Sequence, residues 1–249
     1  EKGYQQLFEA LVYFSSVNNQ VRMAGVINAI GLSSFYGGYY AEALEYFNRA
    51  LTLRKKNNLQ KSIPLTMNNI GLVYLNTKRY EKALAIFRET YDLKMKAGLK
   101  ESAIRTLTNL GTVYQYLGMY AKSASILEKA LEDVKNIQYY GGIPVVKAEL
   151  ANAYTGLGRY QEAEALLQQV QADYKRIKAP FGLIDTEQYL SRLFEKQGNI
   201  KKAIEHQLNA AEYAKKVVAL ARLQDCYATI SNLYESQGDM QHALQYLRL

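Results

Sequence analysis

The chain has 249 residues, 49% of them hydrophobic and 22% charged, and carries a net charge of +8. No apolar run approaches the roughly 20 residues that cross a bilayer, so membrane insertion within this chain is not expected. The single cysteine, Cys226, excludes an internal disulfide and a Cys-rich metal site but leaves the compartment open.

A step of 40 residues dominates the sequence. One column of small residues reads Gly31, Gly71, Gly111, Ala151, Ser191, Ser231. An apolar column precedes it (Ile30, Ile70, Leu110, Leu150, Leu190, Ile230), and three residues on comes a mostly aromatic one (Ser34, Tyr74, Tyr114, Tyr154, Phe194, Tyr234). The second half of the unit repeats a turn column (Gly38, Lys78, Gly118, Gly158, Gly198, Gly238), then Tyr40, Tyr80, Tyr120 and Tyr160, then Ala43, Ala83, Ser123, Ala163 and Ala203. No insertion breaks the register, which is the signature of a repeat architecture.

In chain order the register gives a single array. Residues 1–23 form the second helix of a repeat whose first helix is not present. Residues 24–63, 64–103, 104–143, 144–183 and 184–223 are complete repeats, and 224–249 open a further one. Within a repeat, Met67, Ile70, Gly71 and Tyr74 share one helical face, and Tyr80, Ala83, Leu84, Phe87 and Tyr91 share another. The turn column favours Gly because the backbone there leaves a helix through the left-handed region. Pro64 and Pro144 stand at the start of first helices, where a missing N–H costs nothing. Neither end carries a polar cap, so the array is expected to continue, or to self-associate through its ends.

Small residue, aromatic three on, then Gly, Tyr, Ala and Phe or Leu at fixed offsets resembles the tetratricopeptide repeat over the whole chain. The unit is longer than the common one of about 34 residues. It is similar to the long-helix variant of kinesin light chains, of peptide-responsive bacterial regulators and of the sensory regions of bacterial signalling proteins. Segments such as Asn68-Asn69-Ile70-Gly71 and Lys78-Arg79-Tyr80-Glu81-Lys82-Ala83-Leu84 carry the bacterial likeness. The resemblance implies an all-α fold, a right-handed solenoid of antiparallel helix pairs. It also implies a non-catalytic module holding a protein or peptide in its concave groove, as the sensing or scaffolding part of a larger signalling protein. The alternative is a regulatory segment of a multidomain enzyme or DNA-binding regulator, such as a nucleotide cyclase or histidine kinase.

First helices line the concave surface in such arrays, and their non-core stripe would meet the partner. In chain order it offers Asn28, Leu32, Phe35 and Tyr36, then Asn68, Asn69, Leu72, Leu75 and Asn76. Arg105, Asn109, Thr112, Gln115 and Tyr116 follow, then Asn152 and, further on, Arg192. The resemblance gives the Asn columns the task of holding a ligand's backbone, since an amide both donates and accepts. The early stripe is apolar and would form an exposed partner patch. Arg105 stands nearly alone, so the paired basic residues that clamp chaperone tails are not expected.

No phosphate-cradling Gly-rich loop, nucleophile elbow or metal spacing is present, so neither a catalytic group, a cofactor nor a metal is expected. His206 and His242 read as surface-helix residues, and Cys226 as a small buried one. Cations recur at the ends of second helices (Arg54, Lys55, Lys56; Lys94, Lys96; Lys135; Lys175, Arg176; Lys215, Lys216), where they complement the helix dipole. They form no stripe with interleaved aromatics, so nucleic acid is not an expected partner.

Overall fold

A computed structural model of the protein describes residues 2–248, and all regular structure in them is helical. It divides into two compact units, Glu1–Leu117 and Gly118–Leu249. The first contains α1 (Lys2–Ser16), α2 (Gln20–Tyr36), α3 (Tyr40–Lys56), α4 (Ile63–Asn76), α5 (Tyr80–Lys96) and α6 (Lys100–Tyr116). The second contains α7 (Tyr120–Asn136), α8 (Ile143–Gly156, entered through a 3-10 turn at Tyr140–Gly142), α9 (Tyr160–Arg176), α10 (Pro180–Lys196), α11 (Ile200–Lys216), α12 (Leu220–Ser236) and α13 (Met240–Leu247). Within each unit, helices adjacent in sequence pack against each other.

A residue in the left-handed region recurs every 20 residues. The turn inside each repeat uses Gly38, Lys78, Gly118, Gly158, Gly198 and Gly238. The turn between repeats uses Asn18, Asn58, Gly98, Gln138, Lys178 and Val218. The sequence shows the first series through its glycines. The second is hidden because five of its six members carry a side chain. Val218 is the most strained, since a β-branched residue at φ +55° crowds its own carbonyl.

Second helices α3, α5, α7, α9, α11 and α13 start at the Tyr40 column. First helices start ahead of the sequence-read unit: α2 begins at Gln20 rather than 24, α6 at Lys100 rather than 104. That opening turn has little apolar patterning to announce it. In α2 it is fixed instead by Asn19, whose side chain accepts from the Arg22 N–H.

The small column permits close helix approach, and its partner sets how small it must be. A Cβ on Gly31 would lie 2.8 Å from the Phe47 ring, and one on Gly71 2.5 Å from the Phe87 ring. In the second unit Leu167 takes the Phe column, and Ala151 fits in the Gly column; both are fully buried. The first unit's cluster centres on Ala43, Phe47, Ile70 and Val73. The second has one around Leu127, Leu150, Leu167 and Leu193 and another around Ile184, Ala210 and Ile230.

Candidate functional site

The first helices of the first unit bring four of the expected residues together. Asn69 Nδ2 donates to Asn28 Oδ1 at 3.3 Å, and one repeat later Asn109 Nδ2 donates to Asn68 Oδ1 at 3.4 Å. Each accepting oxygen is also held from beneath. The Thr66 hydroxyl donates to Asn28 Oδ1 at 3.2 Å, and the Thr106 hydroxyl to Asn68 Oδ1 at 3.1 Å.

Below each pair lies a buried cation. Lys94, 2% exposed, donates to Thr106 Oγ1 (2.8 Å), the Ser102 carbonyl (3.1 Å) and Asn68 Oδ1 (3.2 Å). Arg54, 8% exposed, donates to the Ser62 carbonyl at 2.7 Å and to Thr66 Oγ1. Neither has a carboxylate within ion-pair distance among the described residues. Burial, with Arg105 nearby, lowers the Lys94 ammonium to about 8, and burial lowers Arg54 from its ordinary value. These two cations are a correction to the sequence reading. They do not lie at helix ends in solvent, as Lys55, Lys56 and Lys96 do, but reach under the next repeat's first helix. A four-carbon or guanidinium side chain looks alike in sequence whether it snorkels outward or inward.

The cations and hydroxyls fix the amides' polarity. A positive or donating neighbour beneath requires oxygen inward on Asn28 and Asn68. Their N–H groups, and the carbonyl oxygens of Asn69 and Asn109, then have no partner among the described residues. Each pair therefore offers one donor and one acceptor side by side, once per repeat.

The rest of the expected set is placed unevenly. Leu32 and Phe35 pack against the cluster of Ala43, Phe47, Ile70 and Val73, and Leu72 and Leu75 are half-buried. The early apolar stripe is thus largely consumed by packing between repeats, and Tyr36, at 82% exposed, is what remains of it. Asn76 is exposed, but its amide donates back to the Leu72 carbonyl at 2.9 Å. Arg105 and Tyr116 are exposed, with Tyr116 stacked on Tyr80 at a centroid distance of 5.2 Å. The Thr112 hydroxyl donates to the Thr108 carbonyl at 3.1 Å. Gln115 and Asn152 are buried, and Arg192 is half-buried. Exposed Leu65 lies four residues ahead of Asn69 and was not singled out by the sequence reading.

In the second unit several residues of the corresponding face pair with one another. Tyr189 donates to Glu149, Asp185 pairs with Arg222 at 3.1 Å, and Gln188 Nε2 donates to the buried Cys226 sulfur at 3.6 Å. His206 is not a plain surface residue. Its Nδ1 lies 2.8 Å from buried Glu187, and its ring stacks on Phe194. Burial raises the Glu187 pKa, but hydrogen bonds from His206, Gln171 and Asn209 outweigh it and hold the carboxyl below its ordinary value. Among the described residues no cluster of three or more His, Cys, Asp or Glu could hold a metal, and no helix is long and apolar enough to cross a membrane.

Family models described as tetratricopeptide repeat match residues 62–136, 147–177, 24–57 and 224–249. The chain belongs to the tetratricopeptide repeat family. A search of curated proteins finds no match. Among solved structures, the repeats are similar to aspartyl phosphate phosphatase F from Bacillus subtilis (TM-score 0.78, 16% identity, 96% of this chain and 62% of that one). They are also similar to a Rap protein complexed with competence and sporulation factor (0.64, 12%, 96% and 73%). A third is the Rap conjugation gene regulator of the plasmid pLS20 in complex with the Phr* peptide (0.66, 14%, 94% and 74%). The chain thus spans less than two thirds of the first of these proteins. At these identities the likeness concerns the repeat fold.

Proposed function

We propose that this tetratricopeptide array is a peptide-binding module of a larger signalling or regulatory protein, and that the first-helix face of its first unit is the reading surface. The observation that carries this is the pair of polarised amide couples, Asn28 with Asn69 and Asn68 with Asn109. An extended peptide backbone presents alternating carbonyl oxygens and N–H groups, and each couple offers the complementary donor and acceptor. Exposed Leu65, Tyr36 and Tyr116 would supply contacts to side chains. Two structural neighbours whose names include a bound peptide or factor support a peptide rather than a folded partner.

The test is a binding screen of the full chain against a random pentapeptide library, repeated with Asn69→Ala/Asn109→Ala. Selected peptides should bind the variant about tenfold more weakly, as expected for loss of two hydrogen bonds at roughly 0.5–1.5 kcal/mol each. Its melting temperature should barely change. Unchanged affinity with a lowered melting temperature would make these amides structural. The wider role, whether scaffold or regulatory segment of an enzyme or DNA-binding regulator, follows from whichever domain the parent chain carries beside the array.

A further inference from the structure

A groove of about 500 Å³ lies in the second unit, between the second helices α7 and α9 and over α8. That volume is in the range that accommodates small ligands or side-chain clusters. Its floor is apolar, built by Leu131, Leu150, Leu166 and the ring of Tyr154. Its rim carries three carboxylates, Glu128, Glu132 and Glu162, with Lys135 among the lining residues and Arg159 reaching in from beside them. In a chain of net charge +8, three carboxylates around one apolar groove run against the general balance.

The fold does not require them. Two repeats earlier, in the first unit, the floor columns hold Leu51, Ile70, Ile86 and Tyr74, while the rim columns hold Asn48, Thr52 and Lys82. One repeat later they hold Gln168, Ala172 and Lys202. The floor columns stay apolar or aromatic in the first unit, while one repeat later two of the four turn polar, at Gln171 and His206. Only around α8 does a fully apolar and aromatic floor meet a rim whose three columns are all acidic.

The protein itself shows what this rim holds. The Arg159 guanidinium lies 3.8 Å from the Tyr154 ring centroid, donates to both Glu162 oxygens at 2.7 and 2.6 Å, and stands 3.7 Å from Glu128. An aromatic face with carboxylates on either side recognises a guanidinium by charge, planarity and stacking. Tyr154 donates to Glu128 at 2.8 Å, which steadies that end of the site. Glu132, further along the rim, is exposed and makes no ion pair among the described residues.

We propose that this groove is a second docking surface, distinct from the first-helix face, and that its occupant is a basic amphipathic segment of a partner protein. Leucine-sized side chains fill the floor. Flanking arginines meet Glu132 and Glu128, and one of them exchanges with Arg159 over Tyr154.

Two fluorescent peptides test this on the full chain by anisotropy: acetyl-Arg-Leu-Leu-Arg-Leu-Arg-amide and its counterpart with glutamate at every arginine. The arginine peptide should bind, more weakly as salt rises, and the glutamate peptide should not. Replacing the rim by residues from the same columns of the first unit (Glu128→Asn, Glu132→Thr, Glu162→Lys) should weaken binding about tenfold or more. Glu132→Thr alone, an exposed change that leaves Arg159 and its partners in place, should weaken it about threefold. Asn69→Ala/Asn109→Ala should leave this binding unchanged, whatever it does to the library-selected peptides. The proposal falls if the arginine peptide does not bind, if the glutamate peptide binds as well, if the rim variants bind like wild type, or if the Asn variant loses the interaction.

Discussion

The two units bury opposite charges within the same repeat. In the first, Lys94 lies under Asn68 and Thr106 with only neutral acceptors around it. In the second, the Lys94 column holds Val134, Tyr174 and Ala214, and the buried ion is Glu187, which gathers Gln171, His206 and Asn209. The half-buried first-helix positions follow suit, with amide couples that keep a free donor and acceptor in one unit and tyrosine–carboxylate and arginine–carboxylate pairs in the other. Small and apolar columns fix the repeat. The polar positions between them can be rewritten in either sign, and there the two units acquire different chemistry.

The largest effect that would sharpen this contrast is on packing. Gly71→Ala puts a methyl 2.5 Å from the Phe87 ring and should cost on the order of 1–3 kcal/mol in denaturant unfolding. Adding Phe87→Leu, which copies the Ala151 and Leu167 pairing of the second unit, should recover most of it. If it does not, the two units are not built on one complementary pair of columns.

The buried ions should make the units respond to opposite ends of the pH scale. Lys94 holds its proton less tightly folded, at about 8, than unfolded, so the unfolded chain binds more protons between that value and the ordinary lysine range. Its contribution to stability therefore rises with pH through this window, and Lys94→Met should remove that rise. Glu187 has the reverse origin. Its folded pKa is lowered, so its contribution is present above the unfolded carboxyl range and is lost as pH falls through the folded value. Glu187→Gln should flatten this acid limb. Melting curves from pH 3 to 10 on the two single variants measure both, and a parallel pH response in the two would end the comparison.

Smaller effects concern single strained or unsatisfied groups. Val218→Gly should stabilise the second unit by about 1 kcal/mol, by relieving a left-handed β-branched residue. Thr90 is buried in the first unit with a hydroxyl that finds no acceptor, where the second unit has Val170 in the same column. Thr90→Val should add up to about 1 kcal/mol in thermal unfolding, and a loss would mean the hydroxyl is bonded in solution.

Much of this architecture was legible in the sequence because packing imposes columns: Gly71 against Phe87 repeats, and repetition is visible. The turns between repeats were not, since Asn58, Gln138 and Lys178 adopt by context what Gly98 adopts by nature. The candidate site was half legible. Asn28, Asn68, Asn69 and Asn109 could be picked out by their columns, but the inward reach of Arg54 and Lys94 could not. The same limit hid the packing of Leu32 and Phe35, because a helical stripe beside the core is apolar whether a partner or the next repeat covers it. The groove over α8 needed the structure, since Glu128, Glu132 and Glu162 come together only when α7 and α9 flank one helix.

The left-handed residue at every twentieth position has a genetic consequence. Each such hinge is followed by the same kind of helix as the hinge 40 residues away, so a crossover between two copies there would add or delete one module without lengthening or shortening a turn. Joining the segment that ends at Gly38 to the one that begins at Arg79, for example, keeps a left-handed residue directly ahead of a Tyr-led second helix. Arrays with such seams can change in length by whole modules, while the polar positions between seams diverge module by module.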